Sequence, residues 1–548
     1  MADNTATPGP LTREEMRAAV EKRAAELQAG DTTPGPEAAG GVAGVGDGFI
    51  RDCLYAEELG DGILYASTHK GRFRFNASSQ SWLVWSGLFW RDDIHNEHLA
   101  AVEEIAGIYH GLALRCVEKI QAATASQVPA EKIAEAAERD RKKALKRVRR
   151  LQTDKGRVAA VKFARSNSQL SLSVAGEEFD KDPWILVTAN AVIDLRLGEP
   201  VEARPEAYCS KACPVDWHGI DCEAPAWGRF LLEVFESNLE MVSFLQRLLG
   251  YFIFGAVREH IFPVLWGLGR NGKGTIVEAL KMVLGDYCGP VQAELFLDQG
   301  RVRSSAAPSP DIMELKGRRL VYAEEPDAGR RLSVGRVKWL CGGGTLTGRW
   351  PHDRRPVVFT PTHKVLLLTN HKPPAGPDEF AFWERAVLIP FRLAFVDRDP
   401  EADNERRADL GLFEKLRAEA PGILAWLVRG CLEWQRMGLQ PPDMVKRATL
   451  AYRAEDDFLT EWIDERCQIS PELQERCKTL FDDFFEWFTT NWSAKCPSAI
   501  RFRKMLRGRF KTDRDSGNYC IFLGIALVKG PGGGVMNQGR SGAKEVVC

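Results

Sequence analysis

The chain has 548 residues, and its 74 lysines and arginines balance 75 aspartates and glutamates to a formal net charge of -1. Hydrophobic residues make up 44% of the sequence, so several domains of about 100 to 200 residues can each bury a core. Because the chain as a whole is not basic, contact with nucleic acid would have to come from local basic clusters. The 13 cysteines form no CxxC pair, which indicates reduced thiols rather than a disulfide framework.

The N-terminus and the apolar stretches of the chain predict a cytoplasmic protein. The first residues have no basic segment leading into an apolar run, as a signal peptide would have. The longest uncharged apolar stretches, such as residues 248–257, have about half the length that a membrane span needs. We therefore expect a soluble protein that makes no contact with a membrane.

Shifts in composition and periodicity divide the chain into successive parts. The predicted parts are a disordered segment at 1–48, an α+β N-terminal domain at 49–225, an α/β core with leading helices at 226–400, a helical connector at 401–457, a winged-helix-like unit at 458–528 and a disordered tail at 529–548. Aromatic alternation from residue 49 to about 111 predicts a small sheet, and the periodicity of residues 100–165 predicts helices.

Two features of the N-terminal domain leave alternatives open. The mostly basic run at 139–150 is either a solvated helix face, which we favour, or a nucleic-acid contact. Cys209, Cys213, His218 and Cys222 have nearly the spacing of a small zinc knuckle. Because two of the intervals differ by one residue, unrelated thiols are the favoured interpretation.

The strongest chemical signal is the run GLGRNGKGT at 267–275, which follows an apolar stretch and precedes a helix-compatible segment. This is the setting of a phosphate-binding loop, in which backbone N–H groups and a helix N-terminus surround an anion. Lys273 would contact the β- and γ-phosphates. In such loops a serine or threonine usually follows the lysine and binds Mg²⁺ through its hydroxyl, but here Gly274 occupies that position. The hydroxyl of Thr275, one residue later, would bind Mg²⁺ instead. The predicted ATP-binding residues are Gly267, Gly269, Arg270, Asn271, Gly272, Lys273, Gly274 and Thr275.

Polar side chains follow two further apolar runs of the predicted α/β core. The run at 320–323 is followed by two carboxylates, Glu324 and Glu325. We expect Glu324 to bind in the Mg²⁺ shell and Glu325 to polarise the attacking water. The run at 365–368 leads to Asn370, whose amide would orient that water or touch the γ-phosphate. Arg385 offers a planar guanidinium for the phosphoryl oxygens, and the protein must be oligomeric if this group acts in trans.

Two basic segments are candidates for contact with DNA. TLTGRW and PVVF predict two strands on either side of a turn whose tip carries His352, Arg354 and Arg355. The run at 501–511 includes Arg501, Arg503 and Lys504, and lies in the winged-helix-like unit. It either contacts duplex DNA or is an ordinary basic helix face.

The order NGKGT, LVYAEE, KxLxGGxxxxxR, LLLTNHKP and ERAVLIPF resembles the helicase part of the phage and plasmid primase-helicases, which are related to the poxvirus primase-helicase. That group belongs to helicase superfamily 3 and has an AAA+ type core. The resemblance covers roughly residues 49–525, and upstream it includes the WxxWSGxxWRDD segment and DPWILVTANAVIDLRLGEP.

The resemblance implies a ring, usually a homo-hexamer, that hydrolyses ATP with Mg²⁺ between subunits and draws one DNA strand through its pore, generally 3′ to 5′. It implies that Arg385 is the arginine finger and Asn370 the sensor asparagine. The hairpin between the acidic motif and the asparagine strand enters the pore in such rings, which points to Arg349, His352, Arg354 and Arg355. If a phage or plasmid encodes the chain, it would work in the bacterial cytoplasm.

The chain departs from the family pattern in three places. The family usually has GGD after the acidic motif, whereas this chain has glycine at 342–344, so any role of that aspartate is absent. Gly274 displaces the expected hydroxyl, as noted. The residues before Phe49 are too few and too poor in apolar side chains for a primase domain. We therefore expect the helicase part alone, with a separate primase or polymerase as a partner.

Other functions remain as alternatives. The GKGT motif also occurs in nucleotide kinases that resemble adenylate kinase, but a small kinase does not account for the predicted hairpin or the large accessory regions. An ATPase that translocates or packages duplex DNA, or that binds an origin and assembles there without unwinding, would share the same motifs. A catalytically idle assembly scaffold is the last alternative.

Overall fold

The computed structural model describes residues 46–125, 131–166, 170–298, 307–324, 331–351, 356–375, 379–455, 458–491, 496–507 and 509–528. The chain is a mixed α/β protein with several sheets. Nearly all of the predicted disordered segment at 1–48 and the whole predicted tail at 529–548 lie outside the described residues. Among the helices of the described ranges, none is long and apolar enough to cross a membrane.

The N-terminal part of the chain packs helices against a four-stranded sheet. Its helices are α1 (Asp47–Tyr55), α2 (Glu57–His69), α3 (Glu97–Ala100), α4 (Val102–Ala125), α5 (Glu131–Leu151) and α6 (Asp154–Ser166). Its strands are β1 (Phe73–Asn76), β2 (Ser81–Trp85), β3 (Trp90–Asp92) and β4 (Ser173–Val174), in the order β3-β2-β1-β4. The predicted sheet therefore exists, but helices α1 and α2 precede it. Ile50, Cys53 and Leu54 are all buried, and this i, i+3, i+4 spacing is helical.

Helix α5 contains the basic run at 139–150, and part of that run faces inward. Arg147 is 8% exposed and lies 3.4 Å from the carboxylate of Asp61, whose pKa burial raises to about 6. Arg150 is ion-paired with Glu58, and the Lys143 ammonium lies 4.1 Å from the ring centre of Tyr55. These contacts tie α5 to α1 and α2, so the run is partly a structural element of this domain.

A three-stranded antiparallel meander connects this domain to the core. It consists of β5 (Ile185–Val187), β6 (Val192–Asp194) and β7 (Glu199–Val201). The third strand forms because the chain turns back at Gly198, whose φ of 71° lies in the left-handed region. The guanidinium of Arg319, at the start of a core strand, donates to the carbonyl oxygen of Ile185 and anchors the meander.

The core is built on a five-stranded parallel sheet. Its strands are β8 (Phe262–Trp266), β9 (Cys288–Pro290), β10 (Leu320–Ala323), β13 (Lys364–Thr369) and β14 (Ala386–Pro390), and between β10 and β13 the pair β11 (Leu346–Gly348) and β12 (Val357–Phe359) forms the predicted hairpin. The order in the sheet is β14-β8-β13-β10-β9. Strand β8 thus lies between strands that come much later in the chain. Such a switch in order opens a crevice at the carboxyl end of the sheet.

Helices cover both faces of this sheet. They are α7 (Pro225–Val234), α8 (Leu239–Phe252), α9 (Lys273–Leu284), α10 (Pro310–Met313), α11 (Val334–Cys341), α12 (Phe380–Trp383), α13 (Leu412–Ala418), α14 (Ala420–Met437) and α15 (Asp443–Glu455), and the small pair β15 (Ala394–Val396) and β16 (Glu405–Arg407) follows β14. Short 3₁₀ turns occupy Gly176–Glu178, Pro205–Ala207, Gly285–Tyr287 and Ala293–Leu295. In β13, Val365 and Leu367 join one hydrophobic cluster while Leu366 and Leu368 join another. Strand residues alternate between faces, so both faces of the sheet are buried.

Helices α8 and α14 cross at two glycines. A Cβ atom added at Gly250 would lie 2.2 Å from the backbone nitrogen of Cys431, and one added at Gly430 would lie 2.1 Å from the carbonyl oxygen of Gln246. The two backbones are therefore in direct contact, and neither position has room for a methyl group.

Replacing Gly430 by alanine should lower the free energy of unfolding by about 1–3 kcal/mol, because the new methyl group forces the two helices apart. Thermal unfolding followed by circular dichroism measures this as a lower Tm. The matched control is Gly228→Ala in α7, where an added Cβ meets nothing within 4 Å. That control should raise stability by about 0.4–1 kcal/mol. Equal melting temperatures for the two variants would contradict the close contact.

The C-terminal unit has its own aromatic core. It contains α16 (Phe458–Arg466), β17 (Cys467–Arg476), α17 (Cys477–Asn491), α18 (Ala499–Arg507), β18 (Thr512–Arg514) and β19 (Cys520–Leu527). The three strands form an antiparallel sheet in the order β17-β19-β18. Trp462, Phe484 and Phe502 are fully buried, and the ring of Phe484 stacks on Phe502 with 4.7 Å between the ring centres.

Candidate nucleotide site

The glycine-rich loop connects β8 directly to α9. Gly269 and Gly272 have φ angles of 78° and 88°, in the left-handed region that side chains rarely adopt. A Cβ atom at Gly272 would also lie 2.9 Å from a methyl carbon of Val234. Gly267 lies at the base of the loop, where its N–H donates to the carbonyl oxygen of Thr369 at 3.3 Å. The loop therefore needs glycine for its conformation and for its close approach to α7.

Helix α9 begins at Lys273, and the loop leads straight into its N-terminus. Its first turn carries no acidic side chain. The positive end of the helix dipole therefore meets no negative side chain of its own helix there, which favours binding of an anion. Thr275 is half-buried in this first turn and lines the cavity in front of it.

Lys273 and Asn370 are in direct contact. The Lys273 side chain is 6% exposed, and its ammonium donates to the carbonyl oxygen of Gly267 and, at 3.0 Å, to Oδ1 of Asn370. Asn370 follows β13, which pairs with β8 so that Thr369 lies opposite Trp266. Because the two strands are neighbours, the loop after β8 and the end of β13 bring Lys273 and Asn370 together at the carboxyl edge of the sheet.

These groups surround a cavity of about 530 Å³, a size typical of small-molecule sites. The predicted residues that line it are Gly269, Arg270, Asn271, Gly272, Lys273, Gly274, Thr275, Glu324 and Asn370. Glu324 is exposed at the carboxyl end of β10, which lies beside β13 in the sheet. Glu325, predicted to polarise water, lies outside the described residues.

The cavity offers oxygen ligands that suit Mg²⁺. They are the hydroxyl of Thr275 and the carboxylate of Glu324. Mg²⁺ is commonly held by one or two protein oxygens, with phosphate oxygens and water completing the shell. In the described ranges, no three His, Cys, Asp or Glu side chains gather into a metal-binding group. The donor set therefore fits a magnesium ion that arrives with a phosphate ligand.

The same observation bears on the zinc alternative at Cys209, Cys213, His218 and Cys222, all of which are described residues. These four side chains do not form a ligand group. Cys209 and Cys213 are buried, and burial raises the pKa of each thiol to about 12. The spacing that resembles a zinc knuckle is accordingly not matched by the folded geometry.

Arg385 lies away from this cavity. It immediately precedes β14, and its carbonyl oxygen accepts from the N–H of Phe262 at 2.6 Å, at the amino end of β8. The loop begins at the other end of β8, and five strand residues span roughly 16 Å. The half-buried guanidinium donates to the carbonyl oxygen of Ala381 at 2.5 Å. Arg385 therefore cannot serve the cavity of its own chain without a large rearrangement.

The basic hairpin is only partly described. Strands β11 and β12 pair as predicted, with Leu346 opposite Phe359. After β11, the N–H of Arg349 donates to the hydroxyl of Ser309 at 3.0 Å, which holds the base of the hairpin. His352, Arg354 and Arg355 lie outside the described residues.

Helix α18 presents a basic face to solvent. Phe502 and Leu506 are fully buried, whereas Arg503, Lys504 and Arg507 are exposed. The Nε atom of Arg503 donates to the sulfur of Cys477 at 3.3 Å. Arg501 belongs to the same helix, although its side chain is not among the described ones.

Sequence patterns missed the other wall of the cavity. This wall is formed by Phe230 and Glu233 of α7, Phe395 of β15, and Asp409 and Leu412 at the start of α13. Hydrogen bonding to Lys415 lowers the pKa of Asp409, whose carboxylate lies 2.6 Å from that ammonium. No motif identifies these residues, because they come from segments far apart in the chain.

Comparison with known proteins identifies relatives of the chain. The D5 N terminal like family matches residues 63–236. "Putative helicase L207/L206" of Acanthamoeba polyphaga mimivirus is 27% identical over 346 residues, covering 61% of this chain and 36% of that protein. "Putative helicase 022R" of Frog virus 3 is 23% identical over 389 residues, covering 58% of this chain and 40% of that protein. "Putative primase C962R" of African swine fever virus is 22% identical over 349 residues, covering 60% and 36%.

Among solved structures, one of the NrS-1 C terminal region has a TM-score of 0.33 at 12% identity and covers 60% of this chain and 87% of that one. The chain also spans well under two thirds of the length of its viral relatives, as the shares of 36% and 40% show. The chain thus contains a D5 N terminal like domain and is similar to proteins named helicases and primases of large DNA viruses, which is consistent with a member of the primase-helicase family.

Proposed function

We propose that the chain is an ATP-dependent DNA helicase of superfamily 3 with an AAA+ type core. It would form a hexameric ring that moves 3′ to 5′ on single-stranded DNA during the replication of a phage, plasmid or other mobile element. One observation carries the proposal. Parallel strands β8, β13 and β10 bring the phosphate loop, Asn370 and Glu324 to one cavity at the carboxyl edge of the sheet. The names of the viral relatives support a role in replication.

The cavity residues divide the work of hydrolysis among them. The loop N–H groups and the N-terminus of α9 hold the phosphates, and Lys273 neutralises charge on the β- and γ-phosphates. Thr275 and Glu324 would hold Mg²⁺, which neutralises charge on the phosphate oxygens when bound. Glu325 is proposed to polarise the attacking water. Asn370, already beside Lys273, would orient that water against the γ-phosphate.

The placement of Arg385 supports an oligomer. Its guanidinium lies at the opposite end of the sheet from its own phosphate loop, and it does not line the cavity. An arginine that stabilises the transition state can be supplied by a neighbouring molecule. We therefore assign Arg385 to the cavity of the adjacent subunit, so that each active site would need two copies of the chain.

DNA would be held at two places. The hairpin with Arg349, His352, Arg354 and Arg355 would contact a single strand in the pore through its phosphates, which makes binding sensitive to salt. The exposed face of α18, with Arg501, Arg503 and Lys504, would contact duplex DNA. Synthesis of primers would fall to a separate primase or polymerase, and the complex would work in the cytoplasm of the host cell.

The C-terminal unit supports a second candidate function. Its exposed basic helix face on a compact core is suited to duplex DNA, as an origin-binding assembly ATPase or a duplex translocase would require. Such a protein would hydrolyse ATP without separating strands.

Strand displacement on forked DNA with defined 3′ and 5′ tails distinguishes the two functions. We expect ATP-dependent unwinding that requires a 3′ tail. Replacing His352, Arg354 and Arg355 together by alanine should reduce the stimulation of ATP hydrolysis by single-stranded DNA, because phosphate contacts in the pore are lost. If forked DNA stays intact while duplex DNA stimulates ATP hydrolysis, the duplex translocase is favoured. If single-stranded DNA stimulates the triple variant as strongly as the wild type, the assignment of these three residues to the pore is wrong.

A further inference from the structure

The cavity extends to both sides of β8, so its two ends lie above different strands of the sheet. Strand β8 lies between β13 and β14 in the sheet. Asn370 and Glu324 follow β13 and β10, on one side of β8. Phe395 belongs to β15, which follows β14 on the other side. A nucleotide whose γ-phosphate lies near Asn370 must therefore extend its base toward the side of β14.

Apolar side chains form the walls at this second end. The ring of Phe230 lies 3.3 Å from the position that a Cβ atom of Gly272 would take, so it covers the loop from the side of α7. The N–H of Phe395 donates to the carbonyl oxygen of Arg270 at 2.6 Å, which places β15 against the loop from another side. Leu412 also lines the cavity, and it begins α13, which packs against α7. Aromatic and aliphatic walls of this kind suit a flat heterocyclic base.

This end of the cavity has two carboxylates, Asp409 and Glu233, and only one of them is already hydrogen-bonded within the described part of the chain. Asp409 already accepts from Lys415 at 2.6 Å and from the N–H of Gly411 at 3.0 Å. Glu233 is exposed to the cavity one helical turn after Phe230 on α7, which places both side chains on one face. Within the part of the chain that the structure describes, no hydrogen bond engages the Glu233 carboxylate. Glu233 is thus the acidic group that is available to a ligand.

We propose that Glu233 determines base specificity by accepting a hydrogen bond from the exocyclic amine of an adenine held between Phe230, Phe395 and Leu412. The inference rests on the proposed function, because it requires a nucleoside triphosphate in the cavity. An ionised carboxylate can only accept hydrogen bonds. It therefore favours adenine, which has an amine at the six-position of the purine, over hypoxanthine, which has a carbonyl oxygen there.

The test compares ATP with ITP, both with Mg²⁺, by displacement of a fluorescent nucleotide. The wild-type protein should bind ATP about tenfold or more tightly than ITP, since a hydrogen bond to a charged group is lost with ITP. Glu233→Ala should remove this preference. Glu233→Gln should also lose most of it, because an amide can accept from the amine of adenine and can equally donate to the carbonyl oxygen of ITP.

Glu236→Gln is the matched control, because Glu236 is an exposed glutamate two residues beyond the end of α7 and does not line the cavity. It should keep the wild-type ratio of the two affinities. Equal binding of ATP and ITP by the wild-type protein, or an unchanged ratio in both Glu233 variants, would overturn the assignment while leaving the nucleotide site itself intact. Failure of the wild-type protein to bind either triphosphate would instead contradict the proposed function, and the inference with it.

Discussion

Replacing Arg385 by alanine is expected to lower kcat for ATP hydrolysis by about 10³-fold or more, with little change in the Kd for ATP. The guanidinium lies at the amino end of β14, and the phosphate loop lies at the carboxyl end of β8. Its removal leaves the binding cavity of the same chain intact. Under the proposed assignment, what would be lost is the stabilisation of transition-state charge in the adjacent subunit. Steady-state hydrolysis together with nucleotide displacement separates the two effects.

The control for this prediction is Arg436→Ala, an exposed arginine of α14, which should hydrolyse ATP at the wild-type rate. Mixing subunits provides a sharper test. When Arg385→Ala and Lys273→Ala proteins are combined, some interfaces join an intact Lys273 to an intact Arg385, so part of the activity should return. A mixture as inactive as its components, formed under conditions where subunits exchange, would argue against a shared site.

Replacing Lys273 by alanine is expected to weaken ATP binding by about 10²-fold, because charged hydrogen bonds contribute about 1.5–3 kcal/mol each. The side chain is buried and already directed into the cavity, where it contacts Asn370 at 3.0 Å. Little reorganisation is needed for it to reach a phosphate. The loss should therefore be seen in Kd, in contrast to Arg385→Ala, and unwinding should disappear in both variants.

Lys281→Ala is the matched control, since Lys281 lies on the same helix with its side chain 52% exposed. Its removal should leave the Kd for ATP unchanged. Circular dichroism should show that Lys273→Ala retains its helices, because a loss of fold would otherwise explain weak binding. Wild-type affinity in a folded Lys273→Ala protein would show that the loop does not bind phosphate through this lysine.

The sequence predicted the parts of the site that local patterns encode. A buried strand is recognisable as a short apolar run, and the polar residue that follows it lies at an edge of the sheet, so Glu324 and Asn370 could be predicted one at a time. Lys273 could be predicted from the glycine-rich loop that precedes it. Glycines at positions with left-handed φ marked the loop in the same way. These features depend on neighbours within a few residues, and they are present in the folded chain at the expected strand ends.

The opposite wall of the cavity could not be predicted in this way. Phe230, Phe395 and Leu412 are far apart in the sequence, and only the packing of α7, β15 and α13 brings them together. The helices at the start of the N-terminal domain were missed because aromatic alternation further along the segment suggested strands. Arg385 was recognised as a candidate, but its distance from its own cavity depends on the parallel pairing of β14 with β8.

The carboxylate of Glu419 does not line the cavity, but it joins two of the cavity's walls. It accepts from the N–H groups of Ala226 at 2.9 Å and Trp227 at 3.1 Å, at the start of α7, while lying between α13 and α14. A negative charge at a helix N-terminus is stabilised by the helix dipole. The wall that carries Phe230 is therefore fastened to the segment that carries Leu412. A movement of α7 away from α13 would have to break these hydrogen bonds, so we expect the two elements to move together when the cavity opens.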